Sequence, residues 1–366
     1  MSKYWNERLR RLSPYVPGEQ PRDRRFIKLN TNENPYPPSP RVLEAIRRAA
    51  GEGLRLYPDP SCTELREAVA ARYGLRPGQV FAGNGSDEVL AFAFAAFFPA
   101  DRAILFPDIT YSFYRVYAEL WDAPFKTVPL DKDFAIRPED YQVPNGGIIF
   151  PNPNAPTGRI LDTAAILSLA EWQERQGRVL IVDEAYIAFG GRTLIPHLAA
   201  HPNLMVVQTF SKSSALAGLR AGFAVAGEEL IEGLCRVRDS FNSYTLDRLA
   251  QAAAAAAVAD TAYYDELSRR IIAARTRTAG ELAVRGFTVI SSAANFLFIR
   301  FPRTPGLRAF TALRERGILV RRFEGGRTDD FLRVTVGTDE EMDRFLDACR
   351  EIDGLSPNPG RNLGPR

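Results

Sequence analysis

Between residues 79 and 226 short apolar runs recur with helix-like stretches between them, and this alternation restricts the fold more than any other feature. The runs are QVFAG, AILF, GGIIF, VLIVD, LMVVQTF and AGFAVA. None alternates polar with apolar residues, which is the pattern of strands covered on both faces in a mostly parallel sheet. The intervening DEVLAFAFAAFF and TAAILSLAEWQERQ have the length and composition of covering helices. The expected fold is α/β, a three-layer sandwich around a mostly parallel sheet.

The flanks read differently. The first forty residues carry Pro14, Pro17 and Pro21 and then LNTNENPYPPSP, the composition of an extended arm with turns rather than a packed element. Pro40 opens an amphipathic helix that closes at Gly51, and a second runs from Ser61 or Thr63 to Gly74. After about residue 245 a long helical stretch leads to FTVI, ANFLFIR, GILVRRF and FLRVTVG, the strands of a smaller α+β domain. The chain divides on this reading into an arm and substrate-covering segment (1–40), a large domain (41–244), a small C-terminal domain (245–354) and a mobile tail (355–366).

Composition excludes several classes. The 366 residues balance 47 cations against 44 anions, with no long cationic block, so neither nucleic acid nor a membrane surface is expected as a partner. The N-terminus lacks the apolar stretch of a secretory signal, and no apolar run approaches the roughly 20 residues of a membrane span. Cys62, Cys235 and Cys349 have no paired spacing, which predicts neither disulfides nor a metal site and fits a reducing cytoplasm. His197 and His201 flank a proline-containing loop without acidic or nucleophilic neighbours, which argues against a histidine-based hydrolase.

In an open α/β sheet the site forms at the C-terminal strand ends, and there the chain carries unusual residues. VLIVDEAYIAF runs into Asp183, Glu184 and Tyr186; LMVVQTFSKSSALAGLRAGF runs into Thr209, Ser211 and Lys212, with Arg220 eight residues on. GNGSDE, with Gly85, Ser86 and Asp87, offers backbone N–H groups at a helix start for a phosphate. A desolvated lysine becomes a nucleophile, an arginine grips phosphate oxygens in pairs, and a buried aspartate can keep a pyridinium nitrogen protonated. Singly, each has an ordinary explanation as a solvated lysine, a helix cap, a turn or a surface charge. Four such elements at equivalent places in one chain outweigh it.

These segments resemble the fold-type I pyridoxal-phosphate (PLP) aminotransferases, and among them the histidinol-phosphate aminotransferase branch. The resemblance is carried, in order, by LNTNENPYPPSP, YPD (57–59), GNGSDE (83–88), PDITYSFY (107–114), PNPNAPTG (151–158), DEAYIAF (183–189), TFSKSSALAGLRAGF (209–223) and LRVTVGT (332–338). It implies a Schiff-base lysine at Lys212, an acid beneath the pyridine nitrogen at Asp183 and a phenol bonding the ring O3′ at Tyr186. It implies Tyr111 stacked on the ring, and a phosphate cradle of Gly85, Ser86, Asp87, Thr209, Ser211 and Arg220. Tyr57 matches a tyrosine that reaches the other subunit's cofactor phosphate, implying a homodimer with shared sites. Arg333 matches the reader of the substrate α-carboxylate, Tyr15 and Arg321 lie near a distal phosphate, and Asn32 and Asn295 are substrate-side candidates.

One departure stands out. Many relatives place an O3′-bonding asparagine just before PTG, where this chain has Ala155. Either Asn154 takes the role through a shifted loop, which is the reading preferred, or Tyr186 bears more of it. In Val320-Arg321-Arg322, strand alternation sends the two arginines to opposite faces, so one at most serves the site. The implied reaction is transamination of L-histidinol phosphate with 2-oxoglutarate, a step of histidine biosynthesis, on small-molecule substrates without metal. Transamination of aromatic amino acids and decarboxylation of threonine phosphate are the alternatives.

Overall fold

The computed structural model describes residues 2–21 and 26–354; the predicted tail, 355–366, lies outside the described residues. The central sheet has seven strands: β2 (Val80–Gly83), β3 (Ile104–Pro107), β4 (Phe125–Val128), β5 (Ile148–Pro151), β6 (Leu180–Asp183), β7 (Leu204–Thr209) and β8 (Gly222–Val225), in the order β2-β8-β7-β6-β5-β3-β4. Strands β7, β6, β5, β3 and β4 run parallel, and β8 is antiparallel to both of its neighbours. The predicted mostly parallel α/β sandwich is therefore the observed one. Strand β4 was missed because FKTV lies at the sheet edge with only Val128 buried, so it lacks the continuous apolar signal of the other strands.

Period-two alternation sends successive residues of these strands to two different cores. Leu180, Val182, Leu204 and Val206 pack with α2 (Pro40–Ala49), α3 (Thr63–Tyr73) and α6 (Thr163–Arg175). Ile181, Met205 and Val207 pack on the opposite face with α4 (Gly85–Phe97), α5 (Phe113–Leu120) and α7 (Glu228–Phe241). Burying each such side chain stabilises the fold by roughly 1.5–3 kcal/mol.

The long helical stretch after residue 245 is two helices, α8 (Arg248–Ala259) and α9 (Thr261–Val284), separated at Asp260. The small buried residues Ala253, Ala254 and Ala257 of α8 join the core containing Val42, Leu65 and Val69, where short side chains permit close approach. Helix α9 passes from one core to another along its length: Tyr264 and Leu267 belong to the sheet's core, Ile271, Ala274 and Leu282 to that of the second sheet.

The second sheet is antiparallel, made of β9 (Thr288–Ile290), β10 (Phe296–Arg300), β12 (Arg321–Arg322) and β13 (Phe331–Thr335) in the order β12-β13-β10-β9. Helices α10 (Gly306–Glu315) and α11 (Asp339–Ile352) contribute Leu313, Phe345 and Leu346 to its core. The N-terminal segment corrects the sequence reading. A short helix, α1 (Glu7–Arg11), stands there, and β1 (Ile27–Lys28) pairs in parallel with β11 (Ile318–Leu319). Ile27 and Leu29 are buried in the second core, because alternation along the extended segment turns both side chains to the same face. Among the described residues no helix is long and apolar enough to cross a membrane, and no group of three or more acidic, histidine or cysteine side chains is arranged for a metal ion.

Candidate active site

A cavity of about 330 Å³ opens where β6 and β7 end, lined by Asp183, Tyr186, Lys212, Arg220, Ser86 and Tyr111 among others. That volume suits a small cofactor with part of a substrate. Asp183 is the last residue of β6; its carboxylate accepts from the Ala185 N–H (3.0 Å) and the Tyr114 hydroxyl (3.2 Å). Burial pushes this carboxyl up to about 6, so it is ionised at neutral pH and ready to face a cation. Its neighbour Glu184 points away from the cavity, accepting from Leu194 N–H, the Thr193 hydroxyl and Gln208 Nε2 at 2.7–2.9 Å. Strand alternation separates the two acids.

Lys212 follows the end of β7. Burial, helped by the positive charge of Arg333, lowers its ammonium to about 8, which gives a useful neutral fraction near pH 7 and makes the amine nucleophilic. Its Nζ donates to the Thr31 carbonyl (3.2 Å) and lies 6.0 Å from the centre of the Tyr186 ring.

At the other end of the cavity α4 begins at Gly85, whose φ is +81°. A Cβ on Gly85 would stand 2.7 Å from Arg220 Nη2, and one on Gly222 would stand 2.4 Å from the Ser86 nitrogen. Glycine at both positions lets β8 and Arg220 close against the helix start, leaving its N–H groups directed at an anion. Arg220 Nη2 and the Tyr111 hydroxyl each donate to Asp87 at 2.6 Å. Burial and Asp87 push the Tyr111 phenol well above its ordinary range. Thr209 and Ser211 complete this end.

A second, smaller pocket of about 40 Å³ gathers Tyr15, Tyr111, Ala155, Arg321 and Arg333. The Arg333 Nη2 donates to the Asn30 carbonyl (3.0 Å), but its buried Nε has no partner. A buried donor left unpaired is costly unless a ligand meets it. Arg321 Nη2 holds the Val16 carbonyl (3.0 Å), and the Tyr15 ring stacks on Phe113 at 4.4 Å. Arg322 turns away to Asp329 (3.1 Å) and Glu324 (3.3 Å), so Arg321 is the arginine on the site's face.

Four sequence candidates stand elsewhere. Asn154 corrects the preferred reading of the departure at position 155. Its Nδ2 donates to the Ile109 carbonyl (3.0 Å) and Thr157 Oγ1 (3.1 Å), and its Oδ1 accepts from the Thr110 hydroxyl (3.1 Å). The amide is consumed in shaping its own loop, while Ala155 lines the cavity. Asn32 and Asn295 are buried and line neither pocket; Asn295 Nδ2 donates to the Asn32 carbonyl (3.0 Å), and Asn32 Nδ2 to the Tyr186 hydroxyl (2.9 Å). Tyr57 is 78 % exposed and stacks on Tyr244 at 4.5 Å, outside its own chain's cavity.

Sequence reasoning missed Thr31, Glu33 and Tyr114. Thr31 and Glu33 line the main cavity, and Glu33 is held by Lys28, which with the Thr31 and Lys28 contacts keeps its carboxyl below the usual range against the opposing effect of burial. They sit in the conspicuous segment LNTNENP, which was read as an arm. Tyr114 lies three residues after Tyr111, in the first turn of α5, and the two rings meet edge to face at 5.8 Å.

The residues fit PLP. A nucleophilic amine, an ionised carboxylate and a glycine-built anion cradle line one cavity and match the aldehyde, ring nitrogen and phosphate of that cofactor.

Comparison with known proteins agrees with this geometry. The sequence matches the model of the family "Aminotransferase class I and II" over residues 24–349. It is 51% identical over 352 residues to the histidinol-phosphate aminotransferase of Clostridium beijerinckii, covering 96% of this chain and 98% of that protein. It is 54% identical to histidinol-phosphate aminotransferase 1 of Bradyrhizobium diazoefficiens, covering 96% and 100%. The histidinol-phosphate aminotransferase of Sinorhizobium meliloti, solved in complex with pyridoxal-5'-phosphate, superposes with a TM-score of 0.88 at 25% identity, over 97% of this chain and 98% of that one. Aspartate aminotransferase of Thermus thermophilus shares the fold, with a TM-score of 0.82 at 20% identity over 96% of this chain and all of the other. The chain belongs to the class I and II aminotransferase family.

Proposed function

We propose that this protein is a PLP-dependent aminotransferase that moves the amino group of L-histidinol phosphate to 2-oxoglutarate. The observation that carries the reading is the pairing of Arg321 and Arg333 around one pocket beside Lys212, with Tyr15 closing it. Two guanidinium groups balance a phosphate dianion in one half-reaction and the two carboxylates of glutamate in the other.

PLP, when bound, supplies an electron sink that weakens the bonds to the substrate's amino-bearing carbon. The chain's own groups do the rest. Lys212 would hold the cofactor and then carry a proton to and from that carbon. Asp183 would meet the ring nitrogen as an anion, and Tyr186 would donate its hydroxyl to O3′, with the Asn154 amide engaged in its own loop. Helix N–H groups of Ser86 and Asp87, with Thr209, Ser211 and Arg220, would hold the cofactor phosphate, and Tyr111 would cover the ring.

The exposed stack of Tyr57 on Tyr244 supports a homodimer in which Tyr57 reaches the partner's cofactor phosphate, and the protein is assigned to the cytoplasm. The deciding experiment is an amino-donor screen with 2-oxoglutarate using histidinol phosphate, phenylalanine, tyrosine and threonine phosphate, with CO2 measured alongside glutamate. Histidinol phosphate giving the highest kcat/KM without CO2 bears out the proposal. Preference for an aromatic donor, or CO2 release from threonine phosphate, replaces it with one of the alternative reactions.

A further inference from the structure

Position 155 carries no amide, the proposed contact to the ring's 3-oxygen rests on the Tyr186 phenol, and the structure puts another amide directly behind that phenol. Asn32 is buried, with a left-handed φ of 57°, a conformation asparagine tolerates better than most residues. Its amide orientation is dictated by its partners. The Thr335 hydroxyl accepts from the Asn32 N–H (2.9 Å) and so spends its one proton on Asn32 Oδ1 (3.1 Å). Nδ2 is thereby turned to Tyr186 and donates to its hydroxyl oxygen at 2.9 Å. Asn295 braces the same turn through the Asn32 carbonyl (3.0 Å), and the Tyr186 ring stands edge-on to Phe296 at 5.1 Å.

We propose that Asn32 is a positioning residue for the Tyr186 phenol, supplying from one layer back the amide that position 155 lacks. A phenol oxygen that accepts a hydrogen bond on one side is a stronger donor on the other, because each bond polarises the next. With Asn32 occupying a lone pair from behind, the single phenolic proton is directed into the cavity. The arrangement also ties two functions to one strand. Arg333 and Thr335 are two apart on β13, so the strand that presents the substrate-side arginine also fixes the amide that orients the phenol.

The inference rests on the proposed O3′ role of Tyr186, and the test separates the two. It reads the pH midpoint of the bound cofactor's visible absorption band in the holoenzyme. A hydrogen bond donated to the 3-oxygen favours the deprotonated chromophore, so losing it moves the midpoint upward. Tyr186→Phe sets the full shift. Asn32→Gly, chosen because glycine accepts the backbone conformation, is expected to raise the midpoint by on the order of half a pH unit. Thr335→Val moves it less and in the same direction, and it carries the test if Asn32→Gly does not fold.

The double variant Asn32→Gly/Tyr186→Phe should match Tyr186→Phe alone, since the amide acts only through the phenol. An unchanged midpoint in Asn32→Gly, or in Thr335→Val where it stands in, overturns the inference, as does a shift that persists in full on the Tyr186→Phe background. A Tyr186→Phe midpoint equal to wild type overturns the role of Tyr186 itself, and the inference falls with it.

Discussion

Arg321 and Arg333 are register partners across the antiparallel pair β12–β13, directly opposite one another. Like charges placed so are unfavourable in a sheet, and the price is accepted at a pocket that an anion is expected to fill. Arg321→Ala should lower kcat/KM for histidinol phosphate by about 10–100-fold, the loss of one charge-assisted hydrogen bond. It should leave alanine much less affected. Arg333→Ala should weaken every amino donor, and equal losses for phosphorylated and unphosphorylated donors in the Arg321 variant would contradict the assignment.

Lys212 and Asp183 give cofactor capture two acidic limits. The lysine amine is neutral, and able to attack, increasingly as pH rises through about 8. Association of PLP with the cofactor-free protein, followed by stopped-flow absorbance, should accelerate from pH 7 to 9 and level off above. Lys212→Ala should remove the covalent absorption change altogether.

The Asp183 carboxyl, at about 6 in the cofactor-free protein, must be ionised to meet the ring nitrogen. Below that pH it is protonated, the attraction to a pyridinium is lost, and equilibrium PLP affinity should fall. Asp183→Asn should abolish this acid limb and lower turnover sharply. A limb unchanged in the variant would transfer it to another group.

Gly222→Ala tests the phosphate cradle. The new methyl would press to 2.4 Å from the Ser86 backbone nitrogen, and backbone cannot swing aside as a side chain can. Overpacking of this kind costs roughly 1–3 kcal/mol, so the apo-protein should melt at a lower temperature and PLP should bind at least several-fold more weakly.

Tyr57→Phe should reduce PLP affinity only in an assembly that shares its sites. Mixing Tyr57→Phe with Lys212→Ala subunits should restore one intact site per heterodimer and part of the activity. No recovery after mixing and subunit exchange would place Tyr57 outside the partner's cofactor site.

Strand ends made much of this site legible before the fold was known. Asp183 ends, and Lys212 follows, a run whose apolar continuity betrays a buried parallel strand, and the cavity lies at those ends, with Arg220 on the return into β8. What local pattern conceals is pairing between distant segments. Ile27 and Leu29 read as part of a proline-rich arm because nothing nearby shows that β11 awaits them, and Thr31 and Glu33 were lost with them. Asn154 misled for a related reason. Its proximity to the motif is sequential, while its hydrogen-bonding capacity is spent on Ile109 and Thr157, which only the folded loop brings within reach.

The Thr335 N–H donates to the Leu29 carbonyl at 2.9 Å, so the chain's opening segment and one of its last strands meet beside the cavity. A nascent chain still holding residue 335 inside the ribosome has its lysine, its aspartate and its anion cradle, yet no closed wall behind them. Tight retention of the cofactor is thus expected only once β13 has emerged and closed on the segment that follows β1. Truncations that spare the whole central sheet but stop short of β13 should release PLP readily.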